Sequence, residues 1–131
     1  MTLPGLTALA GRIMLAAIFL HEAWFKIVNF AAVTRYTQSF GLKGELLPVA
    51  IAVEAIGGLL VLLGLFTRCA ALALGVFCLV TAMVFHARLG DVNQLQHFEK
   101  NLAIAGGFLL LAAFGPGALS LDAWRKRHGG V

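Results

Sequence analysis

Four long apolar runs divide this chain, and they constrain its fold more than any other feature. They cover residues 6–30, 46–66, 69–89 and 98–115, and a helix of roughly 20 apolar residues spans a bilayer. A soluble domain carries about a quarter of its residues as charges, whereas this chain is 12% charged and 60% hydrophobic. The sequence therefore predicts one all-α membrane domain over residues 1–131, an integral membrane four-helix bundle made of two antiparallel hairpins.

The segments between the runs are more polar. In residues 31–45, Val33, Tyr36 and Phe40 fall at i, i+3 and i+7, which is one face of a helix. This spacing predicts a short amphipathic helix at the membrane surface between spans one and two, with a polar loop as the alternative. A polar loop is also expected over residues 90–97, before the fourth run.

The tail, residues 118–131, is basic and contains Arg125, Lys126 and Arg127 in succession. Such a cluster in a membrane protein is attracted to anionic head groups of the cytoplasmic leaflet. The net charge of +4 therefore indicates a lipid bilayer as the partner and not a nucleic acid. Together with Arg68 in the turn after the second run, the tail predicts a multi-pass inner-membrane protein with both termini cytoplasmic.

The two cysteines do not indicate a redox pair. Cys69 and Cys78 are nine residues apart on one predicted helix, and no CxxC motif is present. Nine helical steps place the two thiols on opposite faces, where they cannot bridge. A thiol oxidoreductase that works through a cysteine pair is therefore not indicated.

Polar side chains inside the runs gather at one end of the predicted bundle, on the periplasmic side; Arg12 is the exception. Glu22 and Lys26 are four residues apart and can pair along one helix face. Glu54 lies roughly 13 Å down its helix, too deep to reach water, so it must be protonated or paired. The candidate ligand-binding or proton-relay residues are His21, Glu22, Lys26, Glu54, His86, Lys100 and Asn101.

Small residues indicate which way these side chains point, because they mark close helix contacts in membranes. Four stripes are expected to face the interior: Glu54 with Gly57, Gly58 and Val61; His86 with Ala71, Gly75, Cys78 and Ala82; Lys100 with Ala103 and Gly107; and His21 with Ala10 and Ala17.

Simpler explanations exist for several of these residues. Lys26 and Lys100 lie near helix ends, where a lysine ordinarily reaches the head groups. His86 can be a neutral histidine that only makes a hydrogen bond. No H-x-x-E or E-x-x-H spacing is present, so no metal site is predicted, and no cofactor motif is evident.

Two segments, Glu54–Arg68 (EAIGGLLVLLGLFTR) and Lys100–Asp122 (KNLAIAGGFLLLAAFGPGALSLD), resemble the DoxX family of small four-helix bacterial membrane proteins. The ending Trp24-Phe25-Lys26 of the first run is similar too. The resemblance implies an inner-membrane protein of a family named after a system that passes electrons from a sulfur compound to quinone. This chain departs from the family in having His21-Glu22 where small residues are usual.

The residues and the resemblance together leave three functions open. The first is a redox-linked accessory or oxidoreductase subunit that is associated with a quinone and has a polar intramembrane site near the periplasmic side. The second is a small transporter or proton-conducting oligomer, because intramembrane acids and histidines form proton relays. The third is a non-catalytic assembly protein that binds a partner membrane or redox protein. A homo-oligomer is also expected, through glycine faces at Gly64 and Gly106.

Overall fold

The computed structural model describes residues 2–129, and every regular element in that part of the chain is a helix. The six helices are α1 (Leu3–Val28), α2 (Phe30–Ser39), α3 (Leu46–Leu63), α4 (Thr67–Phe85), α5 (Val92–Phe114) and α6 (Leu121–His128). Three of them, α1, α3 and α4, are long and apolar enough to cross a membrane. The predicted all-α class is thereby confirmed, and three of the four predicted spans correspond to helices that are long and apolar enough to cross a membrane.

The segment between α1 and α3 contains the short helix expected from its spacing, and not a loop throughout. Helix α2 follows α1 after the single residue Asn29, whose backbone N–H donates to the carbonyl oxygen of Phe25 at the end of α1. Tyr36 and Phe40 lie on one side of this segment and pack against Phe85 at the end of α4, with ring centroids 5.9 and 5.0 Å away. These aromatic contacts attach the segment to the rest of the molecule.

The loop expected over residues 90–97 is wrong, because α5 already begins at Val92. Asp91 starts the helix, since its carboxylate accepts hydrogen bonds from the backbone N–H groups of Asn93 and Gln94. An N-cap of this type satisfies donors that a helix leaves unpaired at its first turn. The polar residues of this segment therefore form the first turns of a helix.

The long helices pack in the order α1, α3, α4, α5, and α1 makes few contacts with α5. Phe19, Val61, Leu74, Cys78 and Phe108 form the centre of the core. The rings of Phe19 and Phe108 meet edge to face at 5.3 Å, an arrangement that aromatic pairs prefer. Large apolar side chains cover the outer faces, as expected of helices that face lipid.

Two of the four small-residue stripes face the interior as predicted. In α3, Glu54, Gly57, Gly58 and Val61 are all buried; in α4, Ala71, Gly75, Cys78 and Ala82 are buried and His86 is half-buried.

The stripe predicted for α1 is wrong, and the α5 stripe is largely so. Ala10, Ala17 and His21 are exposed, and α1 instead buries the face that contains Arg12 and Phe19. Arg12 and Phe19 each follow a residue of the predicted stripe by two positions, about 200° around the helix, so the two faces are nearly opposite. Larger side chains that find partners decide between them. In α5, Lys100 and Ala103 are exposed while Gly107 is half-buried.

Arg12 holds together the end of the molecule opposite Glu54. Its guanidinium donates to the carbonyl oxygens of Val61 and Leu62 at the end of α3, at 3.0 and 2.7 Å. It also donates to Pro116 and Leu119 in the connection between α5 and α6, at 2.9 and 2.8 Å. Carbonyls at a helix end have no partner within the helix, so one buried arginine satisfies carbonyls from two segments.

Asp122 joins α6 to the start of α4. Its carboxylate accepts hydrogen bonds from the backbone N–H groups of Phe66 and Thr67 and from the Thr67 hydroxyl, at 2.8 to 2.9 Å. Burial raises the pKa of Asp122, but these hydrogen bonds and the charge of Arg125 lower it more, so the pKa lies below the ordinary value of an aspartate. The backbone N–H of Asp122 also donates to the carbonyl of Gly64 at 2.8 Å.

Candidate functional site

A triad of charged side chains, Glu22, Lys26 and Glu54, lies between α1 and α3. The ammonium of Lys26 is 3.0 Å from Oε2 of Glu22 and 3.0 Å from Oε1 of Glu54. Glu54 is buried, the Lys26 side chain is 18% exposed, and the Glu22 side chain is 46% exposed. The triad therefore runs from a half-exposed carboxylate, through a lysine, to a fully buried carboxylate.

Local sequence explains why these three groups meet. Glu22 and Lys26 are one turn apart on α1, and Lys26 lies in its last turn, where a positive charge interacts favourably with the helix dipole. Gly58 lets α3 approach α1 closely, since a Cβ added there would lie 3.1 Å from the Leu20 side chain. Glu54 is one turn before Gly58 on the same face, so this close approach places its carboxylate against Lys26.

Oxygen Oε2 of Glu54 is the most unusual atom of the site. Within residues 2–129 it is the one buried side-chain nitrogen or oxygen that has no hydrogen-bond partner. An unsatisfied buried polar atom typically costs about 1–3 kcal/mol, and hydrocarbon supplies no water to satisfy it. The site can therefore accept a hydrogen bond at Oε2, while Lys26 has a third N–H to donate beside it.

A second polar group lies at the same end of the molecule, where α4 ends and α5 begins. Nδ1 of His86 is 2.8 Å from the amide oxygen of Gln94, so the nitrogen is the donor of this hydrogen bond. The rings of His86 and His97 stack with centroids 5.0 Å apart. These contacts connect His86 to α5 and not to Glu54.

The structure brings only part of the predicted set together. Glu22, Lys26 and Glu54 form one group and His86 belongs to a second. His21 and Lys100 are exposed, and neither makes an ion pair within the described part of the chain. Asn101 is half-buried and donates to the carbonyl of His97 at 3.2 Å. Of the cations available to Glu54 in the sequence, Lys26 is the partner and Lys100 is not.

Sequence reasoning missed several polar contacts. The loop predicted over residues 90–97 hides the contacts that Gln94 and His97 make with His86. Arg12 and Asp122 were not assigned any role. An arginine deep in an apolar run was itself a signal, because such a residue must find acceptors. For metals, no group of three or more His, Cys, Asp or Glu side chains is placed to hold an ion within residues 2–129.

The helices and the triad place this chain in the structural class of α-helical membrane proteins, with a buried ion cluster between its first and third helices. The DoxX family model matches residues 7–87, more than half of the chain, and the chain belongs to the DoxX family.

Two relatives come from Escherichia coli K12, and both are inner membrane proteins. Inner membrane protein YqjF is 44% identical over 115 residues, which are 87% of this chain and 88% of the relative. Inner membrane protein YphA is 38% identical over 121 residues, covering 87% of this chain and 86% of the relative. No solved structure matches the chain.

Proposed function

We propose that this DoxX-family inner-membrane protein binds the polar head of a lipophilic quinone-type molecule at Glu54, as a redox-linked accessory or oxidoreductase subunit. The observation that carries the proposal is the partner-free oxygen Oε2 of Glu54, buried beside the donor Lys26. Ligand sites in proteins are mostly apolar and contain a few polar groups that fix orientation. A carboxylate and an ammonium side by side in an apolar interior fit that description.

The chemistry of a quinol head matches this pair of groups. A quinol hydroxyl can donate a hydrogen bond to Oε2 of Glu54. A quinone carbonyl can accept a hydrogen bond from the remaining N–H of Lys26. Glu54 is also placed to hold a proton in the interior, while the half-exposed Glu22 connects Lys26 to the surface. Quinone chemistry transfers electrons together with protons. Glu54 would handle the proton, and a partner redox protein would exchange the electrons with the quinone.

A small transporter or proton-conducting oligomer is the second candidate, and the histidine pair near the triad favours it. His86 and His97 stack at the same end as Glu22, and such groups can relay protons. Beyond Glu54, however, the interior is filled by Val61, Leu74 and Phe108. Conduction would therefore need a path between copies of the chain, whereas ligand binding at one end does not. The third candidate is a non-catalytic assembly protein that binds a partner.

The test is mass spectrometry of the lipophilic molecules that the purified protein retains, comparing the parent, Glu54→Gln and Glu99→Gln. Glu99 is an exposed acid of the same half of the molecule, so its variant controls for the loss of one carboxylate. We expect a quinone in the parent and in Glu99→Gln but not in Glu54→Gln. Equal quinone retention by all three proteins would contradict the proposal. Proton flux in vesicles without a retained ligand would favour the second candidate, and a stable partner with neither would favour the third.

We propose that α5 is a fourth span and that the four long helices form a bundle with both termini cytoplasmic. Support comes from the packing order of the helices and from the basic residues Arg68, Arg125, Lys126 and Arg127 at one end. The bilayer favours such residues on the cytoplasmic side. A reporter that is active only in the periplasm, fused after Val131, which lies outside the described residues, should stay silent. A strong signal from it would reverse the orientation.

Self-association through glycine faces is proposed only for Gly106. Gly64 does not lie on a free face: it ends α3 with φ of 69°, and a Cβ there would come within 2.5 Å of Ser120 and 2.9 Å of Arg12. A Cβ on Gly106 meets nothing within 4 Å. Gly106→Leu should therefore weaken crosslinking between copies in lipid. A parent protein that is a monomer both in lipid and in mild detergent would contradict the proposal.

A further inference from the structure

A basic groove lies at the end of the molecule opposite Glu54, between the first turn of α4 and α6. It has a volume of about 640 Å³, and its lining includes Phe66, Arg68, Trp124, Arg125 and Lys126. Helix α3 ends at Leu63 and α4 begins at Thr67, so the groove lies where these candidate spans leave the membrane. In a bilayer, the ends of spans lie at the level of the lipid head groups.

The cations of the groove, Arg68, Arg125 and Lys126, outnumber the one carboxylate in its lining, that of Asp122. Arg68, Arg125 and Lys126 are all exposed, and none of them forms an ion pair within the part of the chain that the structure describes. The guanidinium of Arg125 lies 5.0 Å above the Phe66 ring, which leaves its N–H groups available. The acid beside them, Asp122, already accepts three hydrogen bonds.

The wall of the groove is held in a fixed position. Arg12 binds the connection before α6, and Asp122 binds the backbone that begins α4. Ser120 caps α6 by accepting a hydrogen bond from the N–H of Ala123. The backbone segments that carry the cations of α6 and of α4 are therefore held side by side before any ligand arrives, and a preorganised site loses less conformational entropy on binding.

The rim of the groove is aromatic. Phe66 and Trp124 are 56% and 53% exposed, and tryptophan is enriched at the level of lipid head groups, where one part of the ring is in apolar surroundings and another in polar ones. Cations below an aromatic rim suit a ligand that has a negative phosphate and an apolar body. A free phosphate ion would make no use of the rim.

We propose that this groove binds the phosphate head group of an anionic phospholipid. Arg68, Arg125 and Lys126 contact the phosphate oxygens, and Phe66 and Trp124 lie against the glycerol and the first acyl carbons. Arginine donates to phosphate in a paired geometry, whereas lysine acts as a point charge. The site is separate from Glu54 and does not depend on the function proposed for it.

The experiment measures binding of short-chain phosphatidylglycerol to the full chain in a neutral detergent, by native mass spectrometry. The variants are Arg68→Gln/Arg125→Gln/Lys126→Gln and the matched control Arg35→Gln/Lys43→Gln/Arg88→Gln, which removes three exposed cations elsewhere. Each cation near an anionic lipid surface contributes about fivefold in affinity. We therefore expect the groove variant to lose on the order of 100-fold and the control to bind like the parent.

Two further ligands and one further variant make the result decisive. Phosphatidylcholine of the same chain length should bind far more weakly than phosphatidylglycerol; equal binding of the two would overturn the proposal. Inorganic phosphate at millimolar concentration should not displace the lipid, and displacement would identify free phosphate as the occupant instead. An equal loss in the groove and control variants would mean general charge attraction, which also overturns it. If the triple variant unfolds, Lys126→Gln alone should still show about a fivefold loss.

Discussion

Replacement of Arg12 by methionine is the sharpest test of how this fold is held together. The arginine is 2% exposed, and its four hydrogen bonds join the end of α3 to the connection that precedes α6. Methionine fills a similar space without donors, so four carbonyl groups lose their partner. The variant should therefore loosen α6 and the α3–α4 turn while leaving the Glu54 end unchanged.

The expected magnitude follows from those four contacts. A hydrogen bond to a charged group contributes about 1.5–3 kcal/mol, but the four share one guanidinium and are not additive. Some of the freed carbonyls are only partly buried and can find water or lipid head groups. We expect the free energy of unfolding to fall by about 3–5 kcal/mol, well below the sum of four such bonds, because an unsatisfied buried carbonyl costs about 1–3 kcal/mol and not all four are fully buried. Arg12→Lys keeps the charge but loses the planar arrangement of donors, so its free energy of unfolding should fall by about half as much.

The assay is reversible unfolding in mixed micelles, with Arg35→Met as the matched control because Arg35 is an exposed arginine of α2. Limited proteolysis supplies a second readout, since residues 115–120 should be cut faster in Arg12→Met than in the parent. A loss below about 1 kcal/mol, or no greater than in Arg35→Met, would refute the reasoning. The carbonyls would then be satisfied without the arginine.

Three other predictions concern the triad, the cap on α4 and the glycines. Lys26→Met should lower the free energy of unfolding by about 3–5 kcal/mol because it leaves Glu54 without its cation; adding Glu54→Leu should restore part of the loss, and a double-mutant cycle without coupling would contradict this. Because the folded-state pKa of Asp122 is depressed, its carboxylate stabilises the fold above the ordinary aspartate pKa of 3.8, and this contribution disappears as the pH falls through the folded pKa. The stability difference between parent and Asp122→Asn should thus shrink in acid; a constant difference would show that the charge has no part in it. Gly64→Ala should cost about 2 kcal/mol or more, since its left-handed backbone disfavours a Cβ, whereas Gly106→Ala should be neutral or stabilise by up to about 1 kcal/mol; equal effects in unfolding assays would contradict the assigned surroundings.

Periodicity and depth were sufficient to predict much of the Glu54 site. Glu54 lies in a stripe with Gly57 and Gly58, so its burial could be read from spacing alone. Lys26 follows Glu22 by one turn, and it was one of two lysines at the right depth. What spacing could not decide was which lysine pairs with Glu54. That choice depends on the rotation of α1 and α5 about their axes, which packing determines.

The errors have the same origin. On α1 the small residues Ala10 and Ala17 indicated one face, but the helix buries the face of Arg12 and Phe19, because those larger side chains meet carbonyls and aromatic rings. The sequence does not show where the carbonyls that Arg12 binds will lie, or which ring will pack against Phe19. The loop predicted over residues 90–97 is a smaller error of this kind, because the side chain of Asp91 caps α5 and the helix begins at Val92.

The sequence by itself determined the class of this protein. Its apolar runs and low charge require a helical membrane protein, because backbone polar groups in hydrocarbon must be satisfied within the segment, and the segments resembling the DoxX family are visible in the residues. Only the tertiary structure decided that Arg12 and Asp122 bind α6 against α3 and α4, since those bonds join residues up to 107 positions apart. The same holds for the partner-free oxygen of Glu54: a sequence shows that a carboxylate is buried, but only the packed helices determine which of its two oxygens has a partner.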